Sequence, residues 1–530
     1  MSTSTSPLPW DQALGRLAVR RYRLCVTLVL ILMAWNVFAG LGSVAINNSD
    51  EARYGVSAWE MLQNRSFIVT TYAGEREYWN LKPPLGYWMM ALSFWIFGPT
   101  PFAMRLPAAL CALGAVAVVM AVSRRWLGRR ASLLAGLFLA TAYGFLTNHG
   151  ARAGDLDSAL TLVLLVATFE VSRLGRSPWR MVSLGALLGI GFLLKSFAIL
   201  PLIVTAGLYL AWSGDWRRLR IGPCLTALLA FALPIGIWAA ARIHADGSAY
   251  FLVRMVREDL FARSTSIVDK VTYSPYNYVG ALLDRFAPWP LLLLAATFLA
   301  VRKEGLRPLA QRLTRGRLPL LLLWALVPLV LFSVSRTQHH WYLDPSYPAW
   351  AMLGALAVLD LLRRASPDRR RAVLVAAVLV PLALCETRVL YRTLFAERMP
   401  ESQRFLASLA KHRLELGPEL RTGPLLHSER FILEAMDGFR VEEVGSEAQA
   451  RMPADRAVEE PPSVLIAKET AGPRPQPPLG SGIFLENRSY LLFQSASQIA
   501  GRTVRSPRHG HGHMGRRPRL WRPRSRVFPT

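Results

Sequence analysis

An α-helical polytopic membrane protein with a small C-terminal α+β external domain is the architecture the sequence predicts, on three observations. The 530 residues are 52% hydrophobic and include 16 Trp, and the apolar residues come in long runs instead of being spread among polar ones as in soluble chains. The segments between the runs hold clustered arginine and lysine, so much of the net charge of +27 is what cytoplasmic loops contribute, and nucleic acid is not an expected partner. After about residue 390 the long apolar runs give way to short alternating ones. Cys25, Cys111, Cys224 and Cys385 lie in or beside apolar runs without metal or disulfide spacing and are expected to pack as small hydrophobes.

The first apolar run, 24–46, is long enough to cross a bilayer and lacks a small-residue cleavage site, which predicts an uncleaved helix. Arg16, Arg20, Arg21 and Arg23 place its N-terminus in the cytoplasm. Later spans are expected near Phe102, Ala131, Ser158, Met181, Phe197, Ile221, Phe286, Pro319, Ser346 and Ala372, giving about eleven crossings of roughly 20 residues. Residues 83–97 are read as a helix lying in the membrane surface, with Trp88 and Trp95 at the interface. A full crossing there would invert every later loop. With that helix set aside, Arg124 to Arg130, Arg173 to Arg180, Arg217 to Arg220, Arg302 to Arg307 and Arg363 to Arg371 are all cytoplasmic clusters. The same parity puts 47–101, 148–157, 242–277, 336–345 and everything after Arg388 outside.

The expected division is therefore a membrane module over 1–390, whose first external loop, 47–101, carries interfacial helices, and an external domain over 391–500. In the latter, a helical pattern near 402–412 precedes strand-like runs at 463–467 and 482–486. The 501–530 tail, rich in Arg, Pro, Gly and His, is expected to be disordered, with His509, His511 and His513 solvated and no metal bound.

The residues able to do chemistry lie in the external loops. Asn48-Ser-Asp-Glu-Ala-Arg-Tyr54 and Tyr78-Trp-Asn-Leu-Lys-Pro-Pro-Leu-Gly-Tyr-Trp88 set carboxylates and a lysine just past the first span. Glycosyl transfer to a hydroxyl needs a carboxylate near the acceptor proton and positive charge at a departing phosphate. Asp50 suits the first role; Asp50 and Glu51 equally suit the N-cap and first turn of an amphipathic helix holding Tyr54, Ala58, Met61 and Leu62. Lys82, stiffened by Pro83 and Pro84, suits a phosphate at headgroup level or a snorkelling anchor.

In His149-Gly-Ala-Arg152-Ala-Gly-Asp155-Leu-Asp157, Asp157 opens an apolar helix as a functional acid or as a cap, and Asp155 is offset from it by two positions. Arg152 can meet a phosphate or pair with either carboxylate. Lys195, inside Gly189-Ile-Gly-Phe-Leu-Leu-Lys-Ser-Phe where two short helices are expected to turn, needs a function or a carboxylate partner because its burial alone is costly. Ser335-Arg336-Thr-Gln-His-His-Trp-Tyr342 offers a phosphate-binding arginine and tyrosine or an interfacial belt, and the cluster of Tyr273, Tyr276 and Tyr278 offers a lipid groove or an interfacial belt. No phosphate-cradling glycine loop, zinc signature or nucleophile elbow occurs, so a nucleotide-sugar enzyme of soluble type is unsupported.

The two first-loop motifs resemble those of the GT-C membrane glycosyltransferases that take a sugar from a polyprenyl phosphate, the clan of the protein O-mannosyltransferases and lipid A aminoarabinose transferases. The resemblance implies that Asp50 is the catalytic acidic position, that Asp157 is the second one, and that Lys82 binds the donor phosphate with Arg336 and Tyr342. Lys195 matches a Gly-Phe-Leu-x-Lys element, while Glu51, Arg53, Tyr54, Tyr78, Arg152 and Asp155 are supporting residues. In the aminoarabinose transferases an acidic residue precedes the lysine; here Leu81 stands there, which counts against that activity and against a metal at that position.

The expected function is thus an inverting transfer from polyprenyl (undecaprenyl) phosphate to lipid A, a cell-surface glycan or a protein, on the external face of a bacterial inner membrane, without cofactor or obligatory metal. A secondary transporter or flippase for a lipid-linked sugar is the alternative; it predicts charged sites at the bilayer midplane in repeated halves. A non-catalytic scaffold is a third reading, if the carboxylates only cap helices.

Overall fold

The computed structural model describes residues 20–147, 149–267, 273–391, 399–422, 424–443, 463–467, 481–486 and 490–495. Arg16 and the expected disordered tail with its three histidines lie outside the described residues. Two compact units are formed, Met1–Lys411 with Leu425–Val441, and His412–Pro424 with Glu442–Thr530.

In the first unit the run expected to span 24–46 is helical only over Tyr22–Phe38. Gly40 then takes φ 63°, a left-handed turn open to glycine, and ends it. The turn leaves backbone carbonyls without helical partners, and Arg105 collects three of them: Leu41 O and Val44 O accept from Nη1 at 2.8 and 3.1 Å, and Ala45 O accepts from Nη2 at 2.7 Å. Arg105 belongs to the helix Pro101–Leu127, which opens with proline at its first position and is capped by the Thr100 hydroxyl.

The first loop contains the helix Asp50–Asn64, a small hairpin of Thr71–Tyr72 with Glu75–Arg76, and the apolar helix Leu85–Phe97. At 13 residues the last is about 20 Å long, too short for a hydrocarbon core of about 30 Å. Trp95, Ile96 and Phe97 are exposed on it, as an interfacial helix requires.

Five helices among the described residues are long and apolar enough to cross a membrane, or up to seven if each of two bent pairs is one span. Several of the other expected crossings fall on shorter or bent helices. The span expected near Ala131 is a 12-residue helix, Arg129–Ala140. Those expected near Met181 and Phe197 make one run, Arg180–Ser213, interrupted by the 3-10 turn Ser196–Ile199 with Ser196 at φ 42°. Asn277–Arg285 meets Trp289–Glu304 at 101°, and Leu306–Leu313 meets Leu318–Val334 at 89°. The helices pack through small side chains, Ala109, Ala112 and Ala115 being buried without exposure, which lets backbones approach where lipid offers no hydrophobic driving force. Phe138 stacks on Trp289 in the same core.

The expected 391–500 domain is divided. The helix Glu401–Ser408 and the segment Leu425–Val441 cluster with the membrane unit, because Phe431, Ile432 and Leu433 are fully buried and Phe431 packs on Phe94 and against Gly55. In the second unit, Ser463–Ala467 pairs in parallel with Glu419–Thr422 and antiparallel with Tyr490–Ser495, which in turn pairs antiparallel with Ser481–Glu486. Both strand-like runs read from the sequence are therefore strands.

Glu77, in the first loop, is 1% exposed and accepts from Ser57 Oγ at 3.0 Å, with its other oxygen unpartnered among the described residues. Burial pushes its carboxyl up to about 8, with the Ser57 hydrogen bond working against the shift. The folded chain thus keeps a proton that the unfolded chain loses above about pH 4.3, so stability falls as pH rises from there to about 8. Glu77→Gln is expected to remove this fall. Thermal unfolding at pH 5.5 and pH 9 checks it: the wild type loses Tm between the two and the variant loses less.

Candidate active site

A cavity of about 610 Å³ is lined by side chains from six separate parts of the membrane unit. The helix Asp50–Asn64 contributes Asp50 and Arg53 from its first turn. Lys82 comes from the Pro-stiffened segment, His149 and Asp157 from the second loop, and Lys195 from the helix break. Asp259 and Arg263 come from the π-helical turn Val256–Ala262 and the residue after it, and Tyr342 from the 3-10 stretch His340–Ser346.

The charges are paired. Lys82 Nζ lies 2.8 Å from Asp259 Oδ2, which also accepts from Ser196 Oγ at 3.2 Å, while Arg263 Nε is 3.3 Å from Asp259 Oδ1. Burial pushes the Asp259 carboxyl up, but the charge and hydrogen bond of Lys82, with Arg263 beside it, hold it below the usual carboxylate range. Lys195 Nζ donates to Asp157 Oδ2 at 2.5 Å, so the buried lysine has the carboxylate that its position demanded. Arg53 Nη1 is 3.5 Å from Asp50 Oδ1, and both side chains are about one-third exposed.

His149 Nδ1 pairs with Asp155 Oδ2, and Leu156 N donates to the other Asp155 oxygen at 2.7 Å. Against burial, the charge of His149, its hydrogen bond and Lys195 hold the Asp155 carboxyl down at about 2. Burial disfavours the His149 imidazolium, yet Asp155 outweighs it and raises the ring above its ordinary value. The His149 ring is held flat against Trp341 at 3.6 Å, and His339 stacks with Trp341 at 4.4 Å. Ligand atoms of Asp50, His149 and Asp155 lie within 4.8 Å of one another, a spacing that suits a divalent cation; His149 already spends Nδ1 on Asp155.

Of the residues read from the sequence, Asp50, Arg53, Lys82, Asp157, Lys195 and Tyr342 meet at the cavity. The others sit elsewhere. Glu51 is buried and pairs with Arg105 at 2.5 Å, while accepting from Asn47 N and Gly154 N, both at 2.9 Å; it ties the first loop to the second. Gly154 is required there, since a Cβ would lie 2.8 Å from Met104 and 3.2 Å from Glu51. Tyr54 is buried edge-on to Tyr87, and burial raises its hydroxyl well above the usual range. Tyr78 packs edge-on to Tyr250, Arg152 donates to Asn36 O at 2.7 Å, and Asp155 stands behind His149. Arg336 lays its guanidinium over Tyr273 at 4.8 Å and is not among the cavity-lining residues.

In its place Arg263 faces the cavity and donates to the Tyr342 hydroxyl at 3.3 Å. Asp259 and Arg263 were not singled out from the sequence. Their signal is the charged run Arg254, Arg257, Glu258, Asp259 and Arg263 in a loop assigned to the same side as every other motif, with Asp259 and Arg263 one helical turn apart.

The family model for dolichyl-phosphate-mannose-protein mannosyltransferases matches residues 81–238, a segment that includes Lys82, Asp157 and Lys195. The chain also superposes on the crystal structure of ArnT from Cupriavidus metallidurans bound to undecaprenyl phosphate, with a TM-score of 0.64 at 20% identity over 90% of this chain and 98% of that one. The chain shares the fold of that protein. Its curated relatives include proteins named undecaprenyl phosphate-alpha-4-amino-4-deoxy-L-arabinose arabinosyl transferase. The one from Pseudomonas aeruginosa PAO1 is 29% identical over 64% of this chain and 60% of its own length. One from Pseudomonas fluorescens is 30% identical over 63% of this chain and 60% of its own. The chain thus matches about 60% of the length of these relatives. The resemblance read from the motifs holds, and the fold agrees with helices long and apolar enough to cross a membrane.

Proposed function

We propose that the chain is an inverting membrane glycosyltransferase that moves a sugar from a polyprenyl phosphate, undecaprenyl phosphate by analogy with its relatives, to a hydroxyl of lipid A, a surface glycan or a protein. One observation carries the reading: Asp50, an accessible carboxylate, and Lys82, a phosphate-compatible cation, line the same cavity although they come from separate motifs. Leu200, Val204, Leu331 and Phe332 supply an apolar wall suited to the prenyl chain.

In this reading Asp50 takes the acceptor hydroxyl proton as the oxygen bonds to the anomeric carbon, and the bond from that carbon to the phosphate oxygen breaks with its electron pair going to phosphate. Lys82 and Arg263 stabilise the departing anion, so no general acid is needed and no step is assigned to a metal. Asp157, oriented by Lys195, and His149, held by Asp155, contact the sugar. Leu81, 3% exposed beside Lys82, sets this chain apart from the acidic signature of the aminoarabinose transferases, and the sugar is not carried over from them. The topology belonging to this reading has about eleven crossings, a cytoplasmic N-terminus, the motif loops and the residues after 390 on the external face, and the C-terminal strands as an external domain.

Radiolabelled undecaprenyl-phosphate sugar incubated with membranes carrying the chain tests the reading: label is expected in a glycolipid, glycan or protein fraction. Label that crosses the membrane without changing its carrier supports a transporter instead. Lys82→Met is expected to raise the donor KM by about 10- to 100-fold, the worth of one charge-assisted hydrogen bond, with Lys82→Arg recovering part of it. An unchanged donor KM in Lys82→Met removes the phosphate role.

A further inference from the structure

The first residues of the helix that follows Leu426 reach back to the cavity rim. Arg53 Nε donates to His427 Nε2 at 2.9 Å, and the Tyr72 hydroxyl meets His427 Nδ1 at 2.5 Å. The same imidazole stacks on Trp79, with centroids 6.0 Å apart and 20° between planes. Next to it, Ser428 N donates to Asn48 Oδ1 at 3.2 Å. Two consecutive residues therefore hold the chain on both sides of Asp50, one at Asn48 and one at Arg53. Arg53 in turn lies 3.5 Å from the Asp50 carboxylate and 4.8 Å over the Trp79 ring.

The chemistry of the contact fixes the state of the ring. A guanidinium N–H can only donate, so Nε2 must present its lone pair, and the imidazole proton sits on Nδ1 toward the Tyr72 oxygen. A protonated ring would have no acceptor for Arg53 and would set a second cation against it.

We propose that His427 is a positioning residue for the glycosyl transfer: its neutral Nε2 holds the Arg53 guanidinium, which aims the Asp50 carboxylate into the cavity, so the segment after the last membrane helix is part of the active site. This rests on the function proposed above.

Three variants of the full chain in detergent or lipid nanodiscs test this, assayed with radiolabelled undecaprenyl-phosphate sugar. His427→Ala is expected to lower kcat by about tenfold, as loss of a charge-assisted hydrogen bond does, with the donor KM unchanged. His427→Gln, whose amide oxygen reaches the Nε2 position and accepts, is expected to restore kcat to within about threefold. His427→Asn, which reaches only the Nδ1 position, is expected to stay low. A common Tm for the three variants separates positioning from loss of fold. Equal kcat for His427→Ala and wild type overturns the inference, as does a loss confined to donor KM, or Gln and Asn variants that behave alike. Absence of any transfer by the wild type overturns the proposed function and this inference with it.

Discussion

Asp50→Asn is expected to lower the rate of sugar transfer by about 10²- to 10⁴-fold, the usual worth of a general base, without lowering the amount of folded protein. The substitution keeps the size of the side chain and its capacity to accept one hydrogen bond, but removes the group able to take the acceptor proton. The structure shows why the fold should tolerate it. The Asp50 side chain is about one-third exposed at the cavity, and its ion pair with Arg53 is long at 3.5 Å, so little stability resides there. Initial rates with saturating labelled donor, at matched protein and matched Tm, read the effect. A rate within threefold of wild type would remove Asp50 from the chemistry and leave it as a first-turn helix acid.

Arg105→Met is expected to be the most damaging single change to the fold. Arg105 and Glu51 are both buried, and Glu51 receives Nε at 2.5 Å and Nη2 at 3.1 Å from the arginine. The same guanidinium satisfies the Leu41, Val44 and Ala45 carbonyls left open by the turn at Gly40. Removing it strands a buried carboxylate and three carbonyls, a cost of about 3–5 kcal/mol. The loops carrying Asp50 and Asp157 would lose their common brace, because Glu51 also holds Gly154 N. Thermal unfolding of Arg105→Met, Glu51→Gln and the double variant reads this. The account expects the double variant to lose clearly less than the sum of the singles, since neither leaves the other's charge unpaired. Additive losses would contradict the buried brace.

The fold class was legible because apolar run length and loop charge are direct consequences of the bilayer, and the short helix Leu85–Phe97 was legible because a crossing there would have reversed every basic cluster. Helix ends were less so. Phe38 ends the first helix through the conformation of Gly40, and the run Arg180–Ser213 breaks at Ser196, neither of which hydropathy records. At the cavity, Asp50, Lys82, Asp157 and Lys195 were singled out by charge beside apolar spans together with the resemblance of their motifs, and Lys195, expected to have a function or a carboxylate partner, pairs with Asp157.

Asp259 and Arg263 were marked only by a charged run that the motifs did not reach, and His427 is a residue that only tertiary packing reveals. Asp259 and Arg263 gain their place from a loop that brings them beside Lys82. Arg336 and Arg263 are both arginines in loops expected on the same side, and packing distinguishes them: Arg336 lies over Tyr273 while Arg263 lines the cavity. His427 lies far along the chain from Arg53, in a segment whose apolar Phe431 anchors it to the membrane unit.

The central claim is that this cavity holds a polyprenyl phosphate with its phosphate at Lys82 and its sugar at Asp50. A structure of the protein in lipid nanodiscs with undecaprenyl phosphate measures this directly. The account predicts a phosphate oxygen about 2.7–2.9 Å from Lys82 Nζ, with Arg263 alongside, the prenyl chain along Leu200, Val204 and Phe332, and Lys82 drawn away from Asp259. A lipid phosphate bound outside the cavity, with Lys82 still paired to Asp259, would contradict it.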